Sequence, residues 1–262
     1  MINLRSPREI DLMRRSGLVC WQAHQLAGSL VRPGITTGEI NAAVEQFFAE
    51  HNAVPLFKGV PGQVPFPAAC CISVNEAVVH GIPGNYVLRE GDIVSIDTGC
   101  KVNGWCGDSA YTWRVGKVAP RVEELLQTTE AALYLAIDLM GQRQRWSQVA
   151  GEMAEFVRAR GFSVVEEFSG HGVGRDMHEA PSVPNYTSEP FEKEHDFELR
   201  PGLVIAVEPM INLGDRHVRV LKDHWTQVAT DGLPSAHFEH TIAITKNGPR
   251  ILTAPPGAGE TI

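Results

Sequence analysis

The sequence predicts an α+β chain, two pseudo-symmetric helix–helix–strand halves around an antiparallel sheet. Two observations predict it. Helical periodicity fills two blocks, about 7–50 and 121–160, each followed by short apolar runs of strand character. The chain also resembles itself. Leu88-Arg89-Glu90-Gly91-Asp92-Ile93-Val94-Ser95-Ile96-Asp97 can be laid over Leu199-Arg200-Pro201-Gly202-Leu203-Val204-Ile205-Ala206-Val207-Glu208, and the closing carboxylates stand 111 residues apart. The helix-start residues Thr37 and Ser147 repeat at 110. Two features at nearly one shift point to an internal duplication, with halves at about 10–115 and 121–250 of a single domain, 1–262.

The first helix covers 7–30, where Ile10, Met13, Leu18, Trp21 and Leu26 recur near helical spacing, and Pro33-Gly34 ends it. Thr36 or Thr37 caps a second helix running to about residue 50, with Glu39 in its first turn. Residues 52–70 hold four prolines and two glycines and read as loop. Strands are expected at Ala69–Val74, Asp92–Thr98 and Cys106–Val115. In the second block the helices break around Gly141, with Ser147 as the cap, and strands follow at Phe162–Phe168, Leu203–Pro209 and His237–Thr245. The Pro/Gly-rich tail, 254–262, is expected to fray.

Composition narrows the function classes. At 262 residues the chain is long enough to bury a core without disulfides, and a net charge of −8 gives no sign of the basic surface that nucleic-acid binding normally uses. The five cysteines form no C-x-x-C and are odd in number, so reduced thiols are expected rather than a zinc ribbon or a disulfide framework. The N-terminus lacks an apolar signal region and no run is long enough to span a bilayer, so the expected location is cytoplasmic.

The carboxylates carry the chemistry. Asp97 closes an apolar strand, where a charge needs a partner or a metal. Asn103-Gly104 signals a two-residue hairpin, in which Asp97 faces Ala110 and Asp108 faces Gly99. Period-two alternation then places Asp97 and Asp108 on one face as diagonal neighbours, where like charges repel unless a cation lies between them. A solvated acidic hairpin is the plainer alternative, and Ile93, Val94 and Ile96 count against it. Glu208 repeats the strand-end carboxylate in the second half. His171 lies among glycines that allow close backbone approach, and Glu239 opens the last strand. One by one these residues are unremarkable. Together they form an oxygen-rich set with one nitrogen, suited to Mn²⁺, Fe²⁺, Co²⁺ or Zn²⁺, and two-metal sites of this kind hydrolyse amides.

Five stretches in order resemble the type I methionine aminopeptidases, metallopeptidases of the pita-bread fold with a curved antiparallel sheet. These are Cys71-Ile72-Ser73-Val74-Asn75-Glu76 with His80-Gly81-Ile82-Pro83; the Asp97 strand with Gly107-Asp108; Gly170-His171-Gly172-Val173-Gly174; Val207-Glu208-Pro209-Met210; and Phe238-Glu239-His240-Thr241. The resemblance covers about residues 5 to 253. It implies a single catalytic domain that removes the N-terminal methionine of nascent proteins, preferring a small second residue. It implies two divalent ions (Co²⁺, Mn²⁺, Fe²⁺ or Zn²⁺) on Asp97, Asp108, His171, Glu208 and Glu239, with Asp108 and Glu239 bridging. Glu208 would also carry a proton, His178 would bond the substrate carbonyl and His80 the substrate backbone. Cys71, Trp225 and Met177 would line the methionine pocket, Met177 standing where an aromatic is usual and Asp176 where glycine is usual. Phe57 and Phe66 compete for one pocket position, because residues 63–69 are an insertion relative to the family. The implied partners are nascent N-termini; docking at the ribosome exit region stays open, and a monomer is the default. The alternatives are an Xaa-Pro aminopeptidase of the same fold, which usually carries a large extra N-terminal domain, and an inactive peptide-binding relative, which would lack ligands.

Overall fold

The computed structural model describes residues 2–257; of the tail expected to fray, 258–262 lie outside the described residues. Helix α1, Pro7–Leu30, begins with Ser6 and Glu9 bonding each other's backbone N–H, a reciprocal cap that satisfies two otherwise orphaned donors. Helix α2, Thr37–Glu50, repeats the device with Thr36 and Glu39, which decides the cap between the two threonines. Helices α3, Pro120–Met140, and α4, Trp146–Arg158, form the second pair, with Gly141 at the break.

Ser147 is not the cap of α4. Arg145 holds that position, and Gln148 reaches back to its N–H at 3.1 Å. Ser147 instead gives its N–H and hydroxyl to Asp196, at 2.9 and 2.8 Å, so a carboxylate distant in sequence has taken the serine. The correspondence of the halves is clearer in the backbone than in the cap residues. Thr36 bridges Val87 as Arg145 bridges Glu198. Gly91 and Gly202 both take left-handed φ, +93° and +100°, at the turn into the carboxylate-bearing strand, a conformation that favours glycine.

Among the described residues the main sheet has nine antiparallel strands. The path runs from the edge Val54–Pro55 through Ile93–Val102, Trp105–Arg114, Glu239–Thr245, Val204–Val207 and Ser169–Gly172 to Glu179–Pro184; Cys70–Val74 and Gly248–Ile251 pair beside it. The hairpin keeps the expected register, with Asp97 opposite Ala110 and Asp108 opposite Gly99, around a turn with φ +51° at Asn103 and +78° at Gly104. Both strands run longer than expected towards the turn. The helix pairs pack on the sheet through two apolar clusters. One joins α1 and α2 to Ile72, Val94 and Ile96; the other joins α3 and α4 to Ile205, Val207 and Ile242.

Two expected strands are split. The run expected at His237–Thr245 is Ser235–His237 in a small sheet and Glu239–Thr245 in the main sheet, with buried Phe238 at the crossing. Leu203–Pro209 ends at Val207, and the chain resumes as Met210–Asn212 in the same small sheet. Pro209, lacking an N–H, stands at that crossing. Phe162–Phe168 shrinks to Ser163–Val164. Its continuation carries Glu166 and Glu167 to the surface, where they pair with Arg158, Arg216 and His217. Strands such as Ala77–Val79 and Gln227–Ala229 are too short for periodicity to reveal. The five cysteines are free and buried, and no helix among the described residues is long and apolar enough to cross a membrane.

Candidate active site

Three elements deliver the carboxylates to the middle of the main sheet. The hairpin supplies Asp97 and Asp108 on one face. Glu239 lies on the neighbouring strand, opposite Ala110, and Glu208 follows the strand next along. His171 comes from Ser169–Gly172. The glycines around it are required by close packing: a Cβ on Gly170 would lie 2.3 Å from the Ala206 carbonyl oxygen, and one on Gly172 2.3 Å from that of Ala180. Asp108, His171 and Glu239 each place a ligand atom within 4.8 Å of the others. Nε2 of His171 is 3.9 Å from Asp108 Oδ2 and 3.6 Å from Glu208 Oε1.

Among the described residues no lysine or arginine pairs with this cluster. Oδ1 of Asp97, Oδ1 of Asp108 and Oε1 of Glu239 are buried without a hydrogen-bond partner. Burial pushes all four carboxyls up: Glu208 rises to about 7 against the pull of His171, and repulsion from neighbouring carboxylates adds to the rise of Asp108, to about 8, and of Asp97 and Glu239, well above the ordinary range. His171 bonds the Gly172 carbonyl through Nδ1 at 3.0 Å, which leaves the Nε2 lone pair facing the carboxylates. Orphaned carboxylate oxygens around a free imidazole nitrogen fit divalent cations of the Mn²⁺ to Zn²⁺ series.

The carboxylates line a cavity of about 450 Å³. Its apolar wall is a separate small cluster containing Phe57, Phe66, Cys71, Met177 and Trp225. The choice between Phe57 and Phe66 dissolves, because both line the cavity. The loop 57–69 seats Phe66: the Trp225 indole N–H donates to the Val64 carbonyl at 2.7 Å, and the Phe66 and Trp225 rings meet edge to face at 5.2 Å. His80 and His178 face the same cavity. Burial lowers both imidazoles, His80 to about 4, with neighbouring histidines adding to the effect. The His178 ring stands edge-on to that of His171 at 4.3 Å. The Arg175–His178 turn is pinned from below by Glu179, which accepts the N–H of Arg175 and of Asp176 and pairs with Arg5.

The structure thus brings every expected site residue to one cavity and adds several more, notably Phe168, Met210 and His237. His237 was legible in one respect. It stands two residues before Glu239, and an extended chain presents i and i+2 to one side.

Comparison with known proteins follows the same lines. The sequence profile of metallopeptidase family M24 matches residues 11–246. The chain belongs to that family. It is 46% identical over 253 residues to a methionine aminopeptidase of Clostridium perfringens, covering 97% of this chain and 99% of the relative. It is 45% identical over 253 residues to methionine aminopeptidase 1 of Bacillus subtilis, with the same coverage. The methionine aminopeptidase structure from Thermotoga maritima superposes with a TM-score of 0.91 at 40% identity, covering 97% of this chain and all of that one. The prolidase of Pyrococcus furiosus shares the fold at a TM-score of 0.75 and 21% identity, and the match covers only 66% of that larger chain. This family member is therefore a metallopeptidase of the pita-bread fold.

Proposed function

We propose that the chain hydrolyses the first peptide bond of polypeptides that begin with methionine, preferring a small second residue. The observation that carries this reading is the apolar wall of Phe57, Phe66, Cys71, Met177 and Trp225 facing orphaned carboxylate oxygens across one cavity. An unbranched thioether suits such a wall, since sulfur contacts aromatic edges favourably. Asp97, Asp108, His171, Glu208 and Glu239 would hold two divalent cations, Co²⁺, Mn²⁺, Fe²⁺ or Zn²⁺, with Asp108 and Glu239 shared between them. When bound, such ions activate water and polarise the scissile carbonyl as Lewis acids.

The remaining work falls to the side chains. Glu208 takes the proton from the attacking water and passes it to the leaving amine. His178, its pKa lowered by partial desolvation and by His80, donates to the substrate carbonyl oxygen, and His80 holds the substrate backbone. The physiological substrates on this reading are the N-termini of nascent polypeptides in the cytoplasm, where the enzyme acts as a monomer within reach of the ribosome exit region.

The test is release of methionine from Met-Ala-Ser and from Met-Leu-Ser, after chelation and after return of Mn²⁺ or Co²⁺. Metal-restored release from the first peptide alone is expected. No release under any metal, with the protein folded, would overturn the reading in favour of a peptide-binding relative. Equal cleavage of both peptides would keep the chemistry and remove the second-residue preference.

A further inference from the structure

His237 has no part in the chemistry above, yet it is among the most constrained polar residues of the cavity. Its side chain is buried, with 1% of the residue exposed, and Nε2 has no hydrogen-bond partner. That nitrogen lies 3.5 Å from Oε2 of Glu208. On the other side of the same carboxylate, Oε1 is 3.6 Å from Nε2 of His171. The Glu208 carboxylate therefore sits between two imidazoles. Among the described residues no donor bonds that carboxylate, although the Asn185 amide anchors the Glu208 backbone carbonyl at 3.0 Å.

The placement of His237 is built by a buried hydroxyl pair. Thr112 Oγ1 donates to the His237 carbonyl at 2.7 Å and accepts the His237 N–H at 3.0 Å. With its own proton committed, Thr112 takes a second hydrogen bond from Ser95 Oγ at 2.7 Å. These three residues are buried, so the backbone of His237 is locked from the hairpin. A ring carrying its proton on Nε2 is a single, directed donor, and that nitrogen is the one that faces Oε2 of Glu208.

We propose that His237 is a positioning residue for Glu208: its Nε2–H fixes Oε2 and so turns Oε1 towards His171 and the carboxylate cluster. This rests on the reading of Glu208 as a cation ligand. Donors of this kind set the orientation of a carboxylate ligand, and their loss weakens metal affinity by about 10- to 100-fold.

The experiment is calorimetric titration of Mn²⁺ into chelator-treated wild-type protein, His237→Ala and His237→Gln, with thermal melts of each. Glutamine keeps an N–H donor and removes the ring. The alanine variant is expected to lose about 10- to 100-fold in affinity at one of two Mn²⁺ sites, and the glutamine variant to stay within about threefold of wild type. Wild-type affinity in both variants would overturn the proposal. So would equal loss in both, which would make the effect one of packing. Absence of Mn²⁺ binding by the wild type would overturn this proposal and the cation-ligand reading together, whereas the two preceding outcomes leave that reading standing.

Discussion

Asp108 and Glu239 lie 131 positions apart in sequence and meet across one strand seam, where Glu239 faces Ala110 and His240 faces Ser109. Both are almost wholly buried, and each keeps a carboxylate oxygen without a partner. Two such acids side by side destabilise the fold unless something positive lies between them. If they share the cations, Asp108→Asn and Glu239→Gln should each lower turnover of Met-Ala-Ser by at least about 100-fold, more than loss of a mere supporting group. Circular dichroism should show the fold intact, and full activity in either variant would refute the shared role.

Cation binding should also release protons. Burial, with repulsion from Glu208 adding to it, holds the Asp108 carboxyl at about 8, and burial holds the Glu208 carboxyl at about 7 against the pull of His171. At pH 6.5 the cation-free protein therefore retains protons that a divalent ion must expel. Mn²⁺ titrations in buffers of different ionisation enthalpy should report net release; enthalpies independent of buffer would contradict it. The stability sign follows from the same shifts. These folded-state values lie above the unfolded ones, so the native state binds more protons between about pH 4 and 8, and the chelated protein should lose stability as pH rises through that window. Added Mn²⁺ should restore the loss.

The buried histidine of α1 offers a second pH test. His24 bonds the Ser109 carbonyl through Nε2 at 2.8 Å, while Nδ1 has no partner, and burial lowers its pKa to about 4. Its folded value is below the unfolded one, so the stability it permits is complete above about pH 6.5 and is lost as pH falls towards 4. The linkage is about 2 to 3 kcal/mol between pH 7 and 4.5. His24→Leu should flatten that part of the stability–pH curve. Denaturant melts with parallel pH dependence for both proteins would count against the assignment.

The pocket wall predicts a selective defect. Phe66 is buried and packs edge to face on Trp225, which the Val64 carbonyl holds in place. Phe66→Ala should raise KM for Met-Ala-Ser by about 10-fold or more, the range of apolar pocket contacts, with a smaller effect on kcat. An unchanged KM would remove Phe66 from the methionine subsite.

Much of this site could be read from the sequence because its chemistry is written locally. The hairpin turn fixed the register of Asp97 and Asp108 before any tertiary contact was known, since a two-residue loop leaves one pairing, and side-chain alternation then fixes the shared face. Strand-end carboxylates repeating at 111 residues brought Glu208 into view. What the sequence could not decide was anything set by distant packing. Ser147 looked like a cap until Asp196 claimed it. The strand bearing Glu239 looked continuous, yet the chain changes sheets at Phe238, because periodicity does not say which neighbour a strand will pair with. Phe57 and Phe66 could not be separated in a loop without periodicity, and it is the Trp225 contact to Val64 that places this loop. Local rules of spacing and alternation identify which groups carry the chemistry and that two of them share a face; the buried neighbours that orient them are set by packing in three dimensions, because those contacts join residues that no local rule connects.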